Sequence, residues 1–317
     1  MNTAKNTTKT ETVAAGIRKP LSLMVGIPTC YGDPSILKVV EKILASRNTV
    51  IDRFVIISDS IPLPDTVQTR LRELGIELCW NDEAGSWMEK IKQMVDMCDT
   101  DILVLTQDDI IFEPDTISAI AREFEKNYEI TMVTSMVKPL PPKTFVENIV
   151  SEAVLIPFHI TTQWKGGDNY LSASGRCLSF RTGFAKGFHF PKEIVSGDAF
   201  LYFENKQFGG RMVQATDSIV YVRAPQTISD QVGPSSRYQV QQEELSQYSK
   251  YFNFDLASEY RMPFTLIFYA VLVELMHHPI NTLLYFPLFA YTRLFCKSRL
   301  EALNPMWKAD KSAKNIL

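Results

Sequence analysis

From Leu21 onward, short apolar runs alternate with helix-length amphipathic stretches four times in succession. That rhythm restricts the chain to a largely parallel sheet covered by helices, because a parallel crossover needs a helix to return the chain to the same edge. It predicts strands over residues 21–27, 54–58, 77–80, 102–106 and 130–136, with helices near 35–45, 65–74, 86–97 and 114–126. Pro34 and Pro114 suit first-turn positions, where no amide hydrogen is needed, and Ser86 followed by Glu89 reads as a capping box. A cluster of Pro139, Pro141 and Pro142 then breaks the pattern. Beyond it we expect a helix over 144–156, a glycine-containing segment at 165–167, a strand-like run over 171–181, a helix around 198–207, a strand over 212–222 and a polar helix over 236–250.

At 317 residues, with 45% hydrophobic and 22% charged side chains, the chain can bury a full core without disulfides or a structural metal. The five cysteines have no C-x-x-C spacing and suit buried, reduced thiols. A net charge of −3 excludes a broadly basic nucleic-acid binder. The charge is uneven, since residues 261–317 carry seven Lys and Arg against three Asp and Glu. Residues 1–20 are polar, with no apolar h-region, and are expected to form a disordered tail without a signal peptide, leaving the body in the cytoplasm.

The last segment, 261–317, is of another kind. Residues 264–273 are apolar throughout, and 275–292 hold no charged side chain apart from two histidines but contain Pro279, Asn281 and Pro287. A spanning helix needs about 20 apolar residues, so two shorter, proline-broken helices rimmed by Arg293, Lys297 and Arg299 read as a hairpin lying in a membrane interface, on the cytoplasmic face. The same pattern also suits a buried core pair or a dimer contact.

In open α/β sheets ligands sit beyond the carboxyl ends of the strands. Those ends carry Pro28-Thr29-Cys30-Tyr31-Gly32-Asp33, Asp59-Ser60, Asn81-Asp82-Glu83-Ala84-Gly85 and Thr106-Gln107-Asp108-Asp109. Each has a carboxylate, and neither a dinucleotide fingerprint nor a P-loop occurs. Asp108 and Asp109 on a sharp strand exit can hold Mg²⁺ or Mn²⁺ with positions left for phosphate oxygens; an isolated pair of this kind also serves as a helix cap or solvated turn.

The order of these segments resembles the family-2 glycosyltransferases of the nucleotide-sugar-binding type A fold, an α/β fold with a Rossmann-like open mixed sheet and helices on both faces. Val25 to Asp33 is similar to that family's V-I-P-T-Y-N opening, Ile56-Ile57-Ser58-Asp59-Ser60 to its V-D-D-G-S second strand, and Gln107-Asp108-Asp109 with Phe112-Glu113-Pro114-Asp115 to its D-x-D metal motif and the helix start that follows. The resemblance implies Asp109 as ligand of Mn²⁺ or Mg²⁺. It implies donor-nucleotide contacts at Pro28, Thr29, Tyr31, Asp33, Asp59, Asp82, Lys90, Asp108 and Arg237, the last from a Ser235-Ser236-Arg237-Tyr238 segment weakly similar to a Q-x-x-R-W loop. Ser196-Gly197-Asp198 stands where the family carries E-D, which implies Asp198 as general base; the alternative for Asp198 is a helix-start acid. Gln107 and Gly197 depart from the family pattern. Arg176 or Arg181 could hold donor phosphate or form surface ion pairs, and His189 could approach the site or simply pack. The resemblance thus implies inverting transfer from a nucleoside-diphosphate sugar, a UDP-sugar favoured, to a glycan or lipid-linked acceptor at a membrane surface, with no nucleic-acid partner and an oligomer possible. Two rivals remain: a nucleotidyltransferase, which lacks its G-x-G-x-R loop here, and a non-catalytic nucleotide-sugar-binding protein.

Overall fold

The computed structural model describes residues 20–295. Nearly all of the expected N-terminal tail, and Cys296, Lys297 and Arg299 at the other end, lie outside the described residues. The first half holds β1 (Leu23–Tyr31), α1 (Ile36–Leu44), β2 (Arg53–Ile61), α2 (Asp65–Glu73), β3 (Glu77–Trp80), α3 (Trp87–Met97), β4 (Ile102–Thr106), β5 (Ile110–Phe112), α4 (Thr116–Lys126) and β6 (Ile130–Pro139). The second half holds α5 (Phe145–Val150), α6 (Glu152–Thr161), β7 (Cys177–Arg181), α7 (Thr182–Ala185), α8 (Gly197–Gln207), β8 (Arg211–Val222), α9 (Ile228–Ser246), α10 (Leu256–Glu259), α11 (Phe264–His277) and α12 (Pro279–Phe295).

One eight-stranded sheet runs β3-β2-β1-β4-β7-β6-β8-β5. Its first four strands are parallel, β7 is antiparallel to both β4 and β6, β6 and β8 are parallel, and β5 is antiparallel to β8. The period-two alternation of a strand divides the core between the two faces. Leu23, Val25 and Ile27 of β1, Phe54 and Ile56 of β2, and Ile102 and Val104 of β4 pack with α1, α2 and α4. Their neighbours Met24, Val55, Ile57, Leu103 and Leu105 pack with α3 and α8 on the other face. Gly26 lets α3 approach β1, for a Cβ there would sit 2.7 Å from Met94 Sδ.

The parallel half follows the sequence rhythm, and the Ser86–Glu89 capping box is formed in both directions. Differences arise where elements are short or kinked. Pro34 and Pro114 stand one residue before the N-caps Ser35 and Asp115 rather than in the first turn. The three-residue β5 was not expected, since the apolar Ile110–Phe112 is too short to carry a period and is fixed by pairing with the distant β8. The helix expected over 144–156 is two helices that share Ser151, and α6 continues through Pro157 to Thr161. Of residues 171–181 only Cys177–Arg181 is strand, and α9 begins at Ile228 because Thr227 caps it through the Asp230 amide.

The C-terminal hairpin docks against α5, α6 and α9. It is not a core pair: in α11 only Ala270 and Glu274 are buried, and Phe264, Met276, Ile280 and Leu294 are between 67% and 75% exposed. Among the described residues the stretch Leu256–His277 is long and apolar enough to cross a membrane by length and composition, although residues 260–263 interrupt it.

Candidate active site

The carboxyl ends of β1, β2 and β4 open into a cleft of about 670 Å³. Its floor is built by an irregularity at the end of the β1–β2 pair, where Asp59 and Ser60 oppose Cys30 alone and Ser60 takes a left-handed φ of 61°. Bulges of this kind re-aim side chains beside functional sites. Asp59 is turned inward, 1% exposed, and accepts the Gly85 amide at 2.8 Å and the Ser60 hydroxyl at 3.2 Å. Lys90, from the first turns of α3, comes 2.8 Å from the same carboxylate and donates to the Thr29 carbonyl at 3.2 Å. Sequence reasoning gave Asp59 and Lys90 to the nucleotide. Both line the cleft, and their ion pair also braces β1, β2, the 81–86 loop and α3.

At the end of β4, Gln107, Asp108 and Asp109 all face the cleft. Asp108 is buried and accepts the Thr29 hydroxyl at 2.6 Å, which ties the 107–109 turn to the β1 terminus; Asp109 is half-buried and lines the cleft. The oxygen donors of this turn are of the hard type that Mg²⁺ and Mn²⁺ prefer, so the residues present fit such an ion.

Asp198 enters from the start of α8. Its Oδ2 accepts the Gly175 amide at 3.2 Å and its Oδ1 the Ala199 amide at 2.9 Å. Burial raises its pKa above the ordinary carboxylate value, against the lowering pull of those amides and of Arg176. Asp198 and the 107–109 turn are neighbours: a Cβ on Gly175 would lie 3.5 Å from Gln107 Nε2 and 3.7 Å from Asp198 Cβ. The absence of the family's glutamate before Asp198 has a steric cause. A Cβ at Gly197 would stand 2.6 Å from two ring carbons of Trp87 and 2.8 Å from Met88 Sδ, so only glycine fits beneath that indole.

Of the other expected residues, Pro28 and Thr29 line the cleft. Asp33 and Asp82 are not among its lining residues: Asp33 accepts the Ser35 amide at the start of α1, and Asp82 accepts the Trp80 indole N–H at an exposed edge. Tyr31 closes β1 and Arg237 lies within α9, but their side chains lie outside the described residues. Arg176 lines the cleft, whereas Arg181 is spent on the carbonyls of Phe124, Asn127 and Ile130 at the end of α4. His189 packs on Phe200 and Tyr251, away from the cleft.

Three cleft features escaped sequence reasoning. Trp87 forms a wall, with its indole nitrogen buried and without a hydrogen-bond partner among the described residues; its place just after the capping serine at a strand-end loop was the signal. Arg223 lines the cleft and is held by the fully buried Glu147; a single buried pair leaves no trace in spacing. Tyr285, Phe289 and Arg293 of α12 also line the cleft, and their four-residue spacing marks one helix face that a uniformly apolar reading of the tail conceals.

A family model described as glycosyltransferase like family 2 matches residues 20–239. No curated protein sequence matches the chain. Among solved structures, the mannosyltransferase PcManGT from Pyrobaculum calidifontis, in complex with GDP-Man and Mn²⁺, is 14% identical with a TM-score of 0.51, over 90% of this chain and 78% of that one. S. aureus TarS 1-349 with UDP-GlcNAc is 12% identical with a TM-score of 0.53, over 75% and 69%. Glucosyl-3-phosphoglycerate synthase from Mycobacterium tuberculosis, with Mn²⁺, UDP and phosphoglyceric acid, is 14% identical with a TM-score of 0.50, over 71% and 78%. The mixed open sheet with its cleft at the parallel strand ends is the type A glycosyltransferase fold, and the chain belongs to glycosyltransferase family 2, enzymes that draw on nucleotide-sugar donors.

Proposed function

We propose that this enzyme transfers a sugar, with inversion, from a nucleoside-diphosphate sugar, a UDP-sugar favoured, to a hydroxyl of a lipid-linked or other membrane-proximal glycan acceptor. One observation carries the reading: Asp109 and Asp198 face a single cleft that Tyr285, Phe289 and Arg293 of the hairpin also line. A divalent cation, Mn²⁺ or Mg²⁺, bound at Asp109 with Asp108 or Gln107 beside it would supply positive charge opposite the leaving diphosphate. Arg176, which also lines the cleft, adds a guanidinium suited to phosphate oxygens. The paired amides fix the Asp198 carboxylate, and its raised pKa makes it a stronger base for the acceptor hydroxyl. In that step the hydroxyl proton passes to Asp198, the acceptor oxygen bonds to the anomeric carbon, and the bond from that carbon to the diphosphate breaks on the opposite side. The Lys90–Asp59 brace holds the floor on which the donor lies.

The acceptor assignment draws on the hairpin. The 14 residues of α11 span about 21 Å, short of the roughly 30 Å hydrocarbon core, and their exposed apolar side chains suit a monolayer rather than a crossing. The chain then sits on the cytoplasmic face of a membrane, with 21–260 as the catalytic body. The experiment is transfer of radiolabelled sugar from UDP-, GDP- and dTDP-sugars into a membrane lipid extract by the full chain. The proposal expects label in the lipid phase from one donor, with the opposite anomeric configuration, and its loss by about 10²-fold or more in Asp198→Asn. Label confined to a water-soluble acceptor, or full activity in Asp198→Asn, would contradict it.

A further inference from the structure

Outside the donor cleft, where the hairpin docks on α6, four ionisable side chains converge. Glu152 and His159 lie on α6, Glu274 in the last turn of α11 and His278 at that helix's C-cap. His278 Nδ1 is 2.9 Å from Glu274 Oε2 and 3.9 Å from Glu152 Oε1, while His159 Nε2 meets the other Glu274 oxygen at 2.5 Å. One carboxylate oxygen of each glutamate and a ring nitrogen of His278 all fall within 4.8 Å of one another.

Two carboxylates with exposures of 0% and 2% share this space, and burying such charges is costly unless positive charge offsets them. Glu152 Oε1 has no hydrogen-bond partner among the described residues in spite of its complete burial, and it faces the His278 ring. Its other oxygen takes only a long, 3.4 Å hydrogen bond from the Thr282 hydroxyl. His278 is 47% exposed on its outer side, which leaves a way in from solvent.

We propose that Glu152, Glu274 and His278 form a second divalent-cation site, distinct from the donor cleft, that pins the C-terminal hairpin to α6. Two carboxylates and an imidazole suit Zn²⁺ and its first-row neighbours, whereas Mg²⁺ and Ca²⁺ prefer all-oxygen sets. Zinc bonds of about 2.0–2.2 Å place tetrahedral ligand atoms roughly 3.4 Å apart, a value bracketed by the 2.9 Å and 3.9 Å separations from His278, with the two carboxylates within 4.8 Å of each other. His278 binds through Nδ1, with its proton on the solvent-facing Nε2, and His159 orients Glu274 from behind. Because the hairpin carries Tyr285, Phe289 and Arg293 into the cleft wall, occupancy of this site sets how firmly that wall is held.

The test uses the full chain, stripped with chelator and titrated calorimetrically with Zn²⁺ alone, in wild type, Asp109→Asn, Glu152→Gln and His278→Asn. One equivalent is expected in wild type and in Asp109→Asn, accompanied by a rise in Tm. Affinity should fall at least 10–100-fold in Glu152→Gln and in His278→Asn, and X-ray absorption should show nitrogen and oxygen ligands without sulfur. Unchanged zinc affinity in the two site variants, or no zinc bound by folded Asp109→Asn protein, would overturn the proposal. His278 is half-exposed at a helix end, so its variant decides the matter even if Glu152→Gln fails to fold.

Discussion

Lys90→Met separates the brace described above from direct nucleotide contact. Lys90 Nζ and Asp59 Oδ2 are 2.8 Å apart with side chains only 6% and 1% exposed. At an effective dielectric of about 20 the gross attraction is roughly 6 kcal/mol, most of which desolvation of the two ions takes back. Removing one partner is a different matter, since it strands the other charge in the interior at about 3–5 kcal/mol. Asp59 would keep the Gly85 amide and the Ser60 hydroxyl, which places Lys90→Met near the low end, about 3 kcal/mol, or a fall in Tm of roughly 6–12 °C. Urea unfolding of Lys90→Met, Asp59→Leu and the double variant supplies the assay, read as a double-mutant cycle. The double variant should cost less than the sum of the singles, because no orphan charge remains. Additive costs, or single variants within about 0.5 kcal/mol of wild type with weakened nucleotide binding, would refute the brace and restore the direct contact.

Three further outcomes follow from the geometry. Gly197→Ala drives a methyl into the Trp87 ring and should cost about 1–3 kcal/mol by overpacking, relieved by a second change, Trp87→Leu; an alanine variant as stable as wild type would remove the steric account of the missing glutamate. Because burial raises the Asp198 pKa and the ionised form is the base, kcat/KM should rise with pH along an acid limb whose midpoint lies above the ordinary carboxylate value near 4; a limb at that value would contradict the assignment. On anionic vesicles, Phe268→Asp with Leu283→Asp, both at exposed hairpin positions, should lower partitioning by at least 10-fold, since each apolar side chain contributes about 1.5–3 kcal/mol on burial; undiminished vesicle binding would detach the hairpin from the membrane.

The parallel half of the fold was legible because each strand–helix unit satisfies its own local rules: apolar period, proline placement and the Ser86–Glu89 cap agree with the tertiary arrangement. Where the structure departs from the sequence pattern, the deciding contacts are distant in sequence. Ile110–Phe112 is a strand only because β8 lies beside it, whereas α8 stands where a helix was expected over 198–207. Within the site, the strand-end position of Asp108 and Asp109 and the family resemblance at Asp198 pointed to three acids that line one cleft. Spacing could not tell that Asp59 and Lys90 satisfy each other, that Trp87 excludes a side chain at residue 197, or that α12 turns one face to the cleft. Such facts belong to packing between elements and appear only when the elements are placed together.

The acids at the end of β4 and the surrounding cleft are proposed to hold a nucleoside-diphosphate donor. Calorimetric titration of UDP, GDP and dTDP into the full chain, with and without Mn²⁺, in wild type and Asp109→Ala, tests it most directly. Saturable binding of one nucleotide is expected, strengthened by Mn²⁺ in wild type, with that strengthening absent in the variant. A folded protein that binds none of the three, or that binds them equally well in Asp109→Ala with Mn²⁺ present, would contradict it.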